Sequence, residues 1–490
     1  MRAHVGFLAC LALLGLVALV AVEPRLHHEF PSMIDDWNAI ASAPEQLRSV
    51  LELENPEEQR YRPGFTIWNA LQWHTLGAPT AFGGPRLWGL LRVGVLVLGV
   101  AMLARLLVMS TGRGADDWPA ARWLLTFSVP LLVLTVPAGA IDLARYGPQE
   151  PLLVGCMSLG AALLVRSADR LLEPTRPSVS TLATTAIGLA VWWLGVLQKE
   201  TSLCALVLIP FLTPTALSER RRWAVVGSGR RTALRALTIG VLLPFLPMLA
   251  RTLQLTFADD RVYEEAAAGR SLLERLIDQI DKAGATLHSP VFTVVAVGAI
   301  VSVSIAALVR GVDWVGVGMV VTAAAFVVFA AGSGVVASRY YLPPLTLLAL
   351  AGARALATFR AEVIVAASAL VIGAGLWQLH DARGWVKWWV DVERQQESLV
   401  REAAARAAGG CTVEVTGRNV ELVSALPVLM PLANEPARSC APGERFVVVI
   451  DWFAGETPSD DPVLAACAPE ATPVWDISVA RIVRCKRPSP

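Results

Sequence analysis

VGFLACLALLGLVALVAV (residues 5–22) is an uninterrupted apolar run, and FPSMIDDWNAI (residues 30–40) follows it almost directly. A membrane helix needs about 20 predominantly apolar residues. The first stretch has that character, and its apolar core exceeds the ~7–15 residues of a cleavable signal peptide, so it reads as a signal anchor. The second stretch places two adjacent acids, Asp35 and Asp36, just beyond the span. Acids so close to a membrane helix are more often solvated loop residues than catalysts. Which of the two they are depends on the rest of the chain.

The run at 5–22 is the first of many. The 490 residues are 54% hydrophobic and 17% charged, with a mean hydropathy of +0.53. Soluble domains carry about 25% charge, so the composition is that of a polytopic membrane protein. About eleven candidate spans fall at 5–22, 87–108, 123–140, 151–166, 181–197, 202–217, 235–250, 290–309, 314–331, 342–357 and 362–378. Pro130, Pro210 and Pro244 interrupt some of them, which a bundle tolerates where neighbours re-satisfy the backbone. The net charge of +1 gives no basic excess for a nucleic-acid partner.

Membrane proteins keep Lys and Arg in their cytoplasmic loops. With the N-terminus inside, the inner loops hold Arg113, Arg166, Arg170, Arg176, the cluster Arg220, Arg221, Arg222, Arg230 and Arg231, then Arg310, Arg354 and Arg360. The short outer loops hold only Arg145, Lys199 and Arg339. The expected topology is a multi-pass protein of the cytoplasmic (inner) membrane, with residues 1–378 in the membrane and 379–490 outside. The tail contains Cys411, Cys440, Cys467 and Cys485, which is a disulfide pattern if that compartment oxidises. A zinc site is the rival, without a CxxC pair to support it. The tail begins as a helix, GWVKWWVDVERQQESLVREAAARAAGG, and continues through CTVEV, RFVVVIDWF and ARIVRC, so it reads as a small α/β domain.

Outside the membrane, segment 23–86 contains APEQLRSVLELENPEEQ, a short surface helix, and FTIWNALQWHTLG, with Phe65, Trp68, Leu71 and Leu76 on one face. That stripe suits either the headgroup layer or a neighbouring helix. The short outer loops are YGPQE (146–150), QKE (198–200) and SRYY (338–341), and the long one adds RYRPG (60–64). Ionisable groups at a bilayer face polar cavities because burial in lipid is costly. Together Asp35, Asp36, Arg60, Arg62, Glu150, Lys199, Glu200, Arg339 and Tyr340 would surround one outer cavity. Arg and Lys hold phosphates, a carboxylate can deprotonate a hydroxyl, and cations stabilise a departing phosphate. Those parts suffice to move a sugar from a lipid phosphate. Taken singly, each has a plainer explanation: an interface anchor for Lys199 or Arg339, a helix start for Pro63, a dipole partner for Glu150.

The pattern resembles the GT-C superfamily of polytopic glycosyltransferases that use polyprenyl-phosphate-linked sugars, in its protein O-mannosyltransferase and aminoarabinose-transferase branches. IDDW matches the place of that family's catalytic Asp, in the first long outer loop. RYRPGFTIWNAL, QKETS and SRYYLPPLTLLALAG are similar to further elements of the family, over residues 1–378 or so. There is no WWDYG-like motif and no clear DHPP stretch. The resemblance implies that Asp35 or Asp36 is the base, that Arg62, Lys199 and Arg339 bind the lipid phosphate, and that Glu150 orients the acceptor or a sugar hydroxyl. The acceptor would be a glycan, a lipid or a protein. No cofactor is firmly implied; a divalent cation is used by some members, but His27 and His28 lack ligand spacing and a single acidic pair is thin for a metal. The alternatives are an O-antigen-type polymerase or ligase, a transporter, and a non-catalytic scaffold. Polymerases and ligases place their large outer loop late, and transporters need midplane charges or inverted repeats.

Overall fold

The computed structural model describes residues 2–26, 62–76, 87–111, 119–144, 149–172, 178–208, 228–257, 269–333, 337–417, 420–433, 435–441, 443–450, 461–467, 473–477 and 480–485. In chain order the helices are α1 (Arg2–Leu26), α2 (Pro63–Leu76), α3 (Leu87–Met109), α4 (Pro119–Leu134), α5 (Pro137–Ala144), α6 (Glu150–Leu172), α7 (Val179–Val196), α8 (Ser228–Leu242), α9 (Phe245–Phe257), α10 (Leu272–Leu287), α11 (Val291–Arg310), α12 (Trp314–Ser333), α13 (Leu342–Leu356), α14 (Ala361–Ala408), α15 (Val420–Ala433) and α16 (Pro462–Cys467). Two 3₁₀ helices, Glu200–Leu208 and Ser338–Tyr341, sit between them.

The protein is a multi-pass membrane protein. Among the described residues, eight segments are long and apolar enough to cross a membrane: α1, α3, α6, α7, α8 with α9, α11, α12 and the first part of α14. The expected count of about eleven differs for three identifiable reasons. The run at 123–140 breaks into α4 and α5 around Val136, because a residue before proline avoids the helical region and Pro137 cannot donate to the preceding turn. The run at 202–217 begins as a 3₁₀ helix, and its second half lies outside the described residues. The run at 342–357 forms a helix of 15 residues, about 22 Å long at 1.5 Å per residue, short for a 30 Å core.

Which helices face lipid follows from exposure. α13 is largely apolar and buried along most of its length, with Leu342, Leu345, Leu348, Leu350 and Ala353 in the core. α11 exposes Val294, Val297 and Leu308, the last 87% accessible. Close crossings use glycine: a Cβ on Gly155 would lie 2.8 Å from Leu96 Cα, so α3 and α6 meet backbone to backbone.

The connections gather at two ends. At one, Arg354 reaches Asp313 at 2.6 Å and Ser110 Oγ at 3.2 Å, tying together the segments after α3, α11 and α13. At the other, residues 62, 142, 150, 198–200 and 338–341 converge. These are the two groups that charge bias assigned to opposite sides.

α14 runs without a break for 48 residues. Its first part exposes Leu370 and Trp377, and its later part buries Leu399, Val400, Ala403 and Ala404 in the core of an α/β unit. That unit is a four-stranded sheet of order β1-β2-β4-β3, with β1 (Thr412–Gly417), β2 (Arg445–Ile450), β3 (Trp475–Ile477) and β4 (Ala480–Arg484). β1 pairs with β2 in parallel, Thr412 opposite Arg445. β2 and β4 are antiparallel with Phe446 opposite Arg484. Parallel neighbours need a crossover connection, and the chain between β1 and β2 includes α15. Disulfides Cys411–Cys440 and Cys467–Cys485 staple the unit, with Cα separations of 5.6 and 4.8 Å. The structure thus gives these four cysteines a pairing rather than a metal.

Candidate active site

Four separate connections contribute side chains to one end of the bundle. The turn after α7 is pinned first. Gln198 Nε2 donates to Leu194 O at 3.0 Å and Ser202 Oγ donates to Val196 O at 2.7 Å, which turns Lys199 and Glu200 back over the helix end. α2 then docks on this turn. Gly64 N donates to Leu197 O at 2.8 Å, and a Cβ on Gly64 would lie 2.5 Å from Leu194 O, so only glycine permits the approach. Pro63 at the first helical position and Gly64 behind it therefore set Arg62 directly above Glu200.

Arg62 Nε lies 3.3 Å from both Glu200 carboxylate oxygens, and its Nη2 is also 3.3 Å from Oε2. Burial acts to raise the Glu200 carboxyl, but Arg62, the Glu200 backbone N–H and Lys199 outweigh it and hold the group below its ordinary value of 4.5. Lys199 pairs with Glu150, the first residue of α6. Both are buried, at 5% and 1% exposure, and Glu150 also meets the positive end of the α6 dipole. The Lys199 ammonium stands 4.4 Å from the centroid of the Tyr340 ring, with the Arg339 guanidinium 5.7 Å away from the same ring. Arg62, Lys199, Arg339, Glu150 and Glu200 sum to one positive charge. Buried Glu150 Oε2, Gln149 Oε1, Gln198 Oε1 and Thr201 Oγ1 accept no hydrogen bond among the described residues, so acceptors are available beside the cations.

Of the expected site residues, Arg62, Glu150, Lys199, Glu200, Arg339 and Tyr340 come together here. Asp35, Asp36 and Arg60 lie outside the described residues. Among the described residues no group of three or more His, Cys, Asp or Glu side chains could hold a metal, and both site glutamates face cations. In α2 the buried face is Asn69, Ala70 and Gln72, while Leu71 of the expected stripe is 53% exposed.

Sequence reasoning passed over two contacts at this end of the bundle, those of Asp142 and Tyr341. Asp142, near the end of α5, is 3% exposed and accepts from Ser338 Oγ at 2.6 Å, linking α5 to the segment that carries Arg339. An acid closing an apolar run next to YGPQE was the available signal. Tyr341 donates to the backbone O of Gln279 at 2.6 Å, and its phenol is pushed up to about 12, chiefly by burial. No local signal marks that contact, because its partner is 62 residues away.

No family model matches the sequence, and no curated protein matches it. Solved structures do. The chain is similar to ArnT from Cupriavidus metallidurans bound to undecaprenyl phosphate, with a TM-score of 0.54 and 11% identity over 98% of each chain. It is equally similar to the apo state of the same protein, at 0.54 and 12% over 99% of each. The archaeal oligosaccharyltransferase AglB from Archaeoglobus fulgidus, in complex with an inhibitory peptide and a dolichol-phosphate, gives 0.49 and 12%, covering 91% of this chain and 69% of the other. The likeness to ArnT is one of fold, and it runs along essentially the whole chain.

Proposed function

We propose that the protein is an integral membrane glycosyltransferase that takes its sugar from a polyprenyl-phosphate donor and passes it to an acceptor on the outer face of the membrane. The observation that carries this reading is the convergence of Arg62, Lys199 and Arg339 with Glu150 and Glu200 at one end of a bundle folded like ArnT, a protein solved with undecaprenyl phosphate. The donor phosphate enters this cationic end, and its isoprenoid tail lies among the spans. Asp35 or Asp36 removes the proton of the acceptor hydroxyl. The acceptor oxygen then bonds to the anomeric carbon as the bond from that carbon to the phosphate oxygen breaks. The electron pair leaves with the polyprenyl phosphate, whose charge Arg62, Lys199 and Arg339 stabilise. Glu150 keeps Lys199 in place and orients the acceptor or a sugar hydroxyl. The acceptor is a glycan, a lipid or a protein. The disulfides of the C-terminal unit support its placement in an oxidising compartment outside the inner membrane.

The test is incubation of the purified protein with radiolabelled polyprenyl-phosphate sugars. One of them should be consumed with release of polyprenyl phosphate. Asp35→Asn or Asp36→Asn should abolish transfer at an unchanged level of protein in the membrane. Normal activity in both single variants would remove the base from this scheme.

A further inference from the structure

α10 carries three differently exposed faces. At about 100° per residue, Gln279, Ala283 and Leu287 share one face, and all three are buried against the bundle. Leu273, Ile277 and Ile280 share the next, exposed at 66%, 58% and 55%. Glu274, Asp278, Asp281 and Lys282 occupy the third, with Asp278 held by Arg270 at 2.9 Å and Lys282 at 2.7 Å. An exposed apolar face between a protein contact and a charged face suits a helix lying flat at a membrane surface. The capping box of Ser271 and Glu274 starts the helix independently of any neighbour.

Its depth is set by what surrounds its C-terminal end. Ser289 and Pro290 separate His288, which ends α10, from α11, a span whose Val294 and Val297 are exposed apolar side chains. The His288 ring stacks on Trp385 at 3.6 Å, and Gln378 Nε2 donates to Ser289 Oγ at 2.7 Å. Trp385 belongs to the tryptophan group of α14 that includes Trp388, exposed at 45%. Tryptophans gather at headgroup depth. On its buried side α10 touches the segment that carries Arg339 and Tyr340, where Tyr341 donates to Gln279 O; an exposed bond from Arg275 Nη1 to Gly332 O at 2.7 Å also ties it to the end of α12. Tyr341 directly follows Arg339 and Tyr340.

We propose that α10 lies in the membrane–water interface with Leu273, Ile277 and Ile280 on the lipid acyl chains, and that its hydrogen bond from Tyr341 anchors the Arg339–Tyr340 segment to the bilayer surface. The consequence for catalysis rests on the transferase reading; the seating of α10 does not. Membrane contact then becomes a condition for the site's geometry, because the segment that presents Arg339 is held by a helix whose own position lipid decides.

The full chain is placed in nanodiscs of phosphatidylethanolamine and phosphatidylglycerol, with Cys10, Cys156 and Cys204 replaced by serine and a spin label on Ile277→Cys or Asp281→Cys. Collisional relaxation should show the label at 277 reached by oxygen and the label at 281 reached by a water-soluble nickel chelate. Equal access of nickel to both, or no access of either reagent at 277, overturns the interfacial seat. Amide exchange across residues 337–342 is then compared among the native chain, Tyr341→Phe and the double variant Ile277→Glu/Ile280→Glu. Exchange should quicken about tenfold in both variants while α13 keeps its protection. Unchanged exchange in Tyr341→Phe overturns the anchor. A native protein that consumes no lipid-linked sugar sinks the transferase reading and leaves both of these readouts standing.

Discussion

The buried pair between Lys199 and Glu150 makes two separable demands on the molecule, one of stability and one of chemistry. At 5% and 1% exposure, neither charge has much water. Removing one partner strands the other, which typically costs about 3–5 kcal/mol, whereas replacing both with neutral groups of similar size is often close to neutral. Lys199→Met should therefore destabilise the protein by about 3 kcal/mol, and adding Glu150→Gln should recover most of that loss. Unfolding in mixed micelles of graded denaturing detergent measures both. Activity should behave differently. If Lys199 holds the departing phosphate, the stable double variant stays slow, with kcat/KM lower by about 10²–10³-fold, the loss expected for one group that meets developing charge. Lys199→Arg keeps the charge and should retain more activity than Lys199→Met. A double variant that is both stable and fully active would refute the phosphate role and leave Lys199 as a structural counter-ion. A single variant no less stable than the native chain would refute the coupling itself.

Glu200 gives a pH signature. Its carboxyl is held below the ordinary 4.5 in the folded protein, so its contribution is complete above the unfolded value and is lost as pH falls through the folded one. The stability gap between the native chain and Glu200→Gln should stay flat from pH 7 to about 5 and close below about pH 4. Under denaturing but non-reducing conditions, alkylation should modify only Cys10, Cys156 and Cys204, and peptide mapping should return the pairs Cys411–Cys440 and Cys467–Cys485. With 29 and 18 residues separating the paired cysteines, reduction should destabilise the C-terminal unit by about 3 kcal/mol per bridge. A reporter fused after residue 385 should read as outside the membrane; a cytoplasmic reading would reverse the topology and with it the face on which the site works.

The membrane class, most of the spans and three of the four strands of the C-terminal unit are decided by local pattern, so they are legible in the chain itself; the three-residue β3 is too short to carry such a pattern. Apolar runs must satisfy their backbones as helices in lipid, and CTVEV, RFVVVIDWF and ARIVRC have the apolar, β-branched content of half-buried strands. The gathering of Arg62, Glu150, Lys199, Glu200, Arg339 and Tyr340 is legible indirectly. Charge bias divides the loops between two faces, and alternation along the chain then places these residues on one of them. Tertiary structure alone decided who faces whom: Arg62 on Glu200 rather than on Glu150, Lys199 between Glu150 and Tyr340, Asp142 beneath Ser338, Cys411 with Cys440. Those pairings arise from distances set by helix crossings, such as the Gly64 contact with Leu197 and the α3–α6 contact at Gly155, between residues far apart in the chain. A sequence states which residues want a partner or a membrane, because that depends on each side chain's own cost of burial. It does not state which partner, because that depends on where packed backbones come to rest.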